Sequence, residues 1–234
     1  ITERPSKAFL DKLQQVFGFE PPRQHGRSVV ETLAAMRDGG CKALIALGGN
    51  LAVAAPDTLV AFEAMRNLDL NVGIATKLNR SHLLTGRGEA LILPCLGRTE
   101  LDRQAGGIQS VTVEDSMSMV HASKGFVKPA SEHLRSEPAI VAGIAKATLR
   151  DSHGVDWDAL VGNYDLIRDK IEITFPELFR AFNDKVRQPG GFRLYNPASE
   201  RVWKTDTGKA NFIPPKSLDV DGDMPLDQRR DVLR

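Results

Sequence analysis

The residues of this chain best suited to holding a ligand fall in short strings, each at the end of an apolar run. Gly48, Gly49 and Asn50 end the run Lys42 to Leu47, and Thr76, Lys77, Asn79, Arg80 and His82 follow the run Leu70 to Ala75. Arg98 and Asp115 follow two further runs, Ala90 to Leu93 and Ser110 to Val113. Paired glycines let backbone approach a phosphate closely, because no Cβ holds it away. Lys77, Arg80 and Arg98 would gather positive charge where a pyrophosphate sits. Asp115, or Glu114 beside it, offers the acceptor-only group that a guanine edge or ribose hydroxyls require. Each has a plainer use as well. Gly48-Gly49 suits any tight turn, strand-end loops are commonly charged, and Asp115 can cap a turn.

Catalytic groups are harder to find. His82 and His121 have no second histidine, cysteine or acid at ligand spacing, so no metal site is expected. His133, in a loop before a helix, suits a capping or surface role. Ser81, Ser116 and Ser118 lack the Gly-x-Ser-x-Gly context of a hydrolase nucleophile. No nucleophile pairs with a base, and no catalytic residue is assigned.

The elements that must position these residues follow from the pattern. A short apolar run closed by turn residues, as in KALIALGGN, predicts a strand buried on both faces. Before it come two helices. One runs from Pro5 to Phe17 and is closed by Gly18; the other is capped by Ser28 and ended by Gly39-Gly40. After it, Asp57 caps a helix bearing Leu59, Phe62, Met65 and Leu68, and Leu70 to Ala75 completes a βαβ unit. Strands at Ala90 to Leu93 and Ser110 to Val113 would extend the sheet, bringing three polar clusters to the edge that carries the glycines. Met117 to Gly125 reads as a further extended segment. Ser136 and Pro138 start a helix that continues to Leu149.

The α/β unit is expected over 1–150. A helical appendage over 151–190 follows, with Trp157, Leu160, Tyr164, Ile167 and Ile171 at helical spacing. The remainder, 191–234, reads as a two- or three-stranded ribbon over Phe192 to Phe212, then a linker around Pro214-Pro215 and Asp219 to Asp223. The fold class is therefore α/β: a Rossmann-like, mostly parallel sheet flanked by helices, then a small helical segment and a short β-ribbon.

Bulk properties narrow the function classes. With 31 Lys and Arg against 30 Asp and Glu in 234 residues, the chain has no excess charge for coating nucleic acid or an anionic membrane. Its two cysteines, Cys41 and Cys95, lie too far apart for a local metal motif, and both are expected as buried thiols. The absence of any membrane-length apolar run makes a cytoplasmic protein the expectation. The initial Ile1 and the unfinished pattern of Leu226 to Arg234 suggest a fragment.

Longer strings carry more. Thr76-Lys77-Leu78-Asn79-Arg80-Ser81-His82, Leu93 to Glu100, Val113 to Ser118, and Ser131 to Pro138 together resemble the formate-dehydrogenase-like branch of the molybdopterin oxidoreductases. TDTGKANF, Thr205 to Phe212, resembles the stretch that precedes the C-terminal dinucleotide-binding domain there. The resemblance covers nearly the whole chain and matches a central segment of an alpha subunit. It implies a bis(molybdopterin guanine dinucleotide) cofactor with molybdenum, a 4Fe-4S cluster nearby, and a small substrate such as formate. Gly48, Gly49 and Asn50 would approach phosphates, and Thr76, Lys77, Asn79, Arg80 and His82 would line the next loop, with Arg98 and Asp115 as further members. The cluster-binding cysteines and the segment that contacts molybdenum are not among these residues. The remaining domains of the same polypeptide, and an electron-transfer partner, would have to supply them, so the segment alone is expected to be inactive. The alternative is a non-catalytic nucleotide-binding or interaction domain that kept the sheet without the redox chemistry. A nicotinamide-dependent dehydrogenase is disfavoured, since no Gly-x-Gly-x-x-Gly follows a strand.

Overall fold

The computed structural model describes residues 3–149 and 154–212. Helix α1 (Lys7–Phe17) starts where the Ser6 hydroxyl accepts from the Phe9 N–H, and stops at Gly18, whose φ of 77° only glycine adopts freely. Helix α2 (Val29–Arg37) opens with a reciprocal capping box between Ser28 and Glu31. It leads into β1 (Ala43–Leu47), then α3 (Leu51–Ala54), α4 (Thr58–Arg66) and β2 (Leu70–Ala75). As expected, Asp57 caps α4 by accepting from the Val60 N–H. Strand β3 (Glu89–Pro94) completes a parallel sheet of order β1-β2-β3, in which Ile45, Val72 and Leu91 lie side by side.

Both faces of this sheet carry helices. Leu33, Met36, Ala61, Met65 and Leu68 bury one face, with Leu44 packed against them. On the other, Ile140 and Ile144 of α5 (Glu137–Thr148) lie over Val72, Ile74 and Leu93. The expectation that β1 is buried on both faces is corrected by this arrangement. Ile45 and Leu47 stay about half exposed, at 54% and 50%, because β1 is an edge strand and α5 packs over β2 and β3. β2 is the inner strand, and its residues 71–74 are buried.

A second correction concerns the expected fourth strand. After a two-residue hairpin, β4 (Arg103–Gln104) with β5 (Gly107–Ile108), strand β6 (Val111–Glu114) leaves the parallel sheet and pairs antiparallel with β7 (Met119–Ser123). The connection explains it. Asp115 to Ser118 makes a tight turn, with Ser118 at φ 61°, and so short a link can only join antiparallel strands.

The helical segment is present as α6 (Trp157–Gly162), α7 (Tyr164–Thr174), α8 (Pro176–Phe179) and α9 (Phe182–Val186). Its aromatic core joins Phe179 to Phe182 at 4.7 Å and Phe182 to Phe192 at 5.8 Å between ring centroids. Helix α1 packs here, its Phe9 stacked on Phe175 at 5.4 Å. The ribbon also exists, but it is assembled differently from the expectation. Only β8 (Phe192–Arg193) comes from the stretch Phe192 to Phe212, and its partner is β7. Beyond it the chain runs in turns, where Thr205 Oγ1 donates to the Lys209 carbonyl (2.8 Å) and side chains take the backbone groups a ladder would use. The linker expected after Pro214 lies outside the described residues.

Candidate functional site

At the carboxyl end of β1 the Gly48 N–H still donates to the Ile74 carbonyl (2.8 Å), and the chain then turns through Gly48 and Gly49 at φ 65° and 71°. A Cβ at either glycine would meet no atom within 4 Å, so both present bare backbone to open space. Substitution there is opposed by conformation alone, since a left-handed φ costs an L-residue roughly 1–2 kcal/mol.

This turn is tied to the loop after β2. Asn79 Nδ2 donates to the Gly49 carbonyl (2.7 Å), while Asn79 Oδ1 accepts from the Ser81 N–H (2.9 Å) at the start of a 3₁₀ turn over Arg80–Leu83. Ser81 Oγ donates to Asn50 Oδ1 (3.1 Å) and accepts from the Ala52 N–H (3.0 Å). His82 Nδ1 accepts from the Asn79 N–H (2.9 Å), and its ring lies against Gly73 of β2, where a Cβ would come within 2.6 Å of it. Asn79 and Ser81 thus tie the two strand-end loops together through Gly49, Asn50 and Ala52, and His82 braces the second loop against β2, leaving the glycine backbone and the cations to face outward.

Lys77 and Arg80 are exposed beside this turn. Arg80 lies over the Phe62 ring at 6.0 Å, and among the described residues neither Lys77, Arg80 nor Arg98 forms an ion pair. The loop after β3 is adjacent, since a Cβ at Gly97 would stand 4.0 Å from Thr76 Cγ2. That loop is held by Glu100, whose carboxylate accepts from the Gly97 and Ala130 N–H groups, each at 2.7 Å. Arg98 lines a separate cavity of about 220 Å³ beside Glu100, Asp102 and Ser136. Cys95 is buried close by, and desolvation raises its thiol above the ordinary value, with Glu137 and Glu100 adding to the effect.

Asp115 is not brought to this edge. It sits in the β6–β7 turn, where its Oδ1 accepts from the Met117 and Met119 N–H groups (2.9 and 3.0 Å). It borders a groove of about 1020 Å³ between β7, α7 and α9, which His121 also lines but none of the other residues proposed for the ligand does. The crevice at the glycines is far smaller, about 20 Å³. The glycine edge is nonetheless the better ligand candidate, because it combines bare backbone, unpaired cations and two interlocked loops. One wall of a site encloses little volume by itself. Ser81, Glu100 and Gly73 are the members that residue types did not single out. A glycine inside a strand does signal close approach, and Asn79 ahead of Ser81 signals a capped turn.

No family model matches the chain. It is 52% identical over 218 residues to Protein YdeP of Escherichia coli, an alignment covering 93% of this chain and 28% of that protein. The match is to a segment of a longer protein. Uncharacterized oxidoreductase Rv2900c of Mycobacterium tuberculosis is 46% identical over 213 residues, covering 91% of this chain and 27% of its own length. The chain therefore spans little more than a quarter of the curated relatives it matches, several of which carry an oxidoreductase name. No helix among the described residues is long and apolar enough to cross a membrane, and none of their His, Cys, Asp and Glu side chains gather in threes or more where a metal would bind.

Proposed function

We propose that this chain forms one wall of a molybdopterin guanine dinucleotide site within a larger molybdenum-dependent oxidoreductase of the formate dehydrogenase type. The observation that carries the reading is the Asn79 to Gly49 bond of 2.7 Å, which sets bare glycine backbone beside the Lys77 and Arg80 loop. The resemblance of the strand-end strings and the oxidoreductase name of several relatives support it.

The residues present fit the dinucleotide arm of that cofactor. Gly48 and Gly49 form a bare-backbone cradle open to solvent, and the exposed Lys77 and Arg80 of the adjoining loop would offer charge to a pyrophosphate there. Asn50, Asn79, Ser81 and His82 keep the cradle in shape. When bound, the cofactor supplies electron transfer from a small substrate such as formate, passing electrons toward an iron-sulfur cluster. This chain's share is to hold and orient the nucleotide arm.

The test is metal and pterin analysis of the complete protein. Molybdenum and guanine nucleotide in stoichiometric amounts are expected. Their joint absence sinks the proposal, and nucleotide without molybdenum favours a non-catalytic binding domain.

A further inference from the structure

We propose that His82 is a proton-sensitive latch on the glycine turn: neutral, it locks the loop after β2 against that turn, and protonated, it releases the lock. The latch is a property of the two loops, and only its consequence for a ligand rests on the nucleotide reading above.

The direction of one hydrogen bond sets the chemistry. The Asn79 N–H donates to His82 Nδ1 (2.9 Å), so Nδ1 is the acceptor and the ring proton lies on Nε2. An imidazolium carries N–H on both nitrogens and has no acceptor left to offer. Turning the ring over does not restore one, because it brings Cδ2–H to the same place. The ring also has little freedom to move. It fills the space that a side chain at Gly73 would take, with Cδ2 and Nε2 at 2.6 and 2.7 Å from the position of such a Cβ. Protonation therefore leaves the half-buried Asn79 N–H without its partner.

Nothing around the ring compensates the new charge. Ala46 of β1, Leu51 of α3, Met65 of α4, Asn71 of β2 and Ile92 of β3 line the crevice with it, and no other titratable or charged residue does. The charged side chains of its own loop are Lys77 and Arg80, both exposed cations without an ion pair among the described residues, so a protonated ring adds to positive charge. The effect passes on through Asn79. While its N–H is held by His82, its Oδ1 accepts from the Ser81 N–H and its Nδ2 donates to the Gly49 carbonyl. Loss of the first bond frees the backbone that aims the other two, and with them the grip of this loop on the glycine turn.

The measurement is residue-resolved amide exchange of the complete protein between about pH 8 and about pH 5, the range in which histidine changes charge, each rate being referred to that of an unstructured amide at the same pH. Protection of the Asn79 and Ser81 amides is expected to fall about 10-fold or more on acidification, and unchanged protection overturns the proposal. Hydrogen exchange at the imidazole C2 carbon, read by mass spectrometry, follows protonation of His82 separately. Its midpoint must coincide with the loss of amide protection, and midpoints more than about one pH unit apart overturn the proposal. His82→Asn places Oδ1 where Nδ1 stands and cannot titrate, so protection at Asn79 should become independent of pH. A variant that still opens on acidification assigns the switch to another group and overturns the latch. If the variant fails to fold, the two midpoints in the unaltered protein still decide. Bound guanine nucleotide is expected to leave the complete protein as the latch opens. Retention that rises on acidification, as plain attraction of a pyrophosphate to a protonated ring would give, overturns the proposal. A protein that carries no nucleotide at either pH, yet loses protection, supports the latch and removes the ligand reading instead.

Discussion

Ser81 does more at the glycine edge than any charged residue there. Its hydroxyl is buried and satisfies both Asn50 and the Ala52 N–H, a group in a wholly buried residue. Ser81→Ala leaves that N–H without a partner and should cost about 1–3 kcal/mol, read as a lower urea midpoint with unchanged slope. Gly73→Ala attacks the same site from below. The new Cβ would stand 2.6 to 2.7 Å from the His82 ring, which must swing away and give up its bond to the Asn79 N–H. The expected outcome is a loss of about 1–3 kcal/mol with weakened retention of guanine nucleotide by the complete protein. A variant that binds normally would show that the His82 turn does not shape the cradle. At this scale the sequence was informative about glycine, whose conformational freedom is intrinsic, and about the Lys77 to His82 string. It named Ser81 only to reject it as a nucleophile and gave it no part in the site, because its bonds to Asn50 and Ala52 depend on a loop 29 residues away in the chain. Asp115 was ambiguous in the sequence, and its geometry is that of a turn-former.

Helices were legible because their caps are local. Ser28 with Glu31, Asp57, and Ser136 all cap where spacing placed them. Strand partners were not, since the choice between a parallel sheet and a hairpin for β6 rests on the tightness of the Asp115 to Ser118 turn. The helices also hold a charged cluster that periodicity could not reveal. Asp165 at the start of α7 accepts from Arg168 and Arg187, while Arg168, buried, also donates to Asn183 Oδ1 (2.7 Å) and the Ser110 carbonyl (3.0 Å). Burial by itself would raise the Asp165 carboxyl, but the hydrogen bonds from Arg168 and then Arg187 outweigh it and hold the group below the ordinary carboxylate range. A depressed folded value means stability that is present above the unfolded value, near 3.9, and lost as pH falls through the folded one. Asp165→Asn should therefore cost about 1.5–3 kcal/mol at neutral pH, with the gap to the unaltered protein closing below about pH 4. Urea unfolding across that range measures it, and a gap independent of pH would exclude the carboxylate as its source.

On the scale of the whole molecule, a buried hydroxyl is one of the links between the sheet and the helical block, beside the exposed Lys146–Asp158 ion pair from α5 to α6. Tyr164 Oη donates to Asp102 Oδ2 (2.5 Å) and lies 2.7 Å from Ser136 Oγ, the cap of α5 on the sheet. The Tyr164 N–H donates to Gln109 Oε1 (2.9 Å), so the first residue of α7 grips both the α5 cap and the segment carrying β4 and β5. Burial, reinforced by Asp102, pushes the phenol well above its ordinary value, so it stays a donor at physiological pH. With the folded value raised, this contribution is complete below about pH 10 and is lost only as pH climbs through the folded value. Tyr164→Phe keeps the ring and deletes the link, leaving Asp102 with Gln104 Nε2 (2.6 Å) as its remaining partner. The expected cost is about 1–3 kcal/mol. Its form is more telling than its size. If this hydroxyl couples the two halves, the otherwise unaltered chain unfolds in one transition, whereas in the variant, with Trp203→Phe in both so that Trp157 alone reports on α6, the fluorescence changes at lower urea than the far-ultraviolet signal of the whole fold. Coincident transitions with a shift under about 0.5 kcal/mol would assign the coupling to apolar packing instead, such as Phe9 on Phe175.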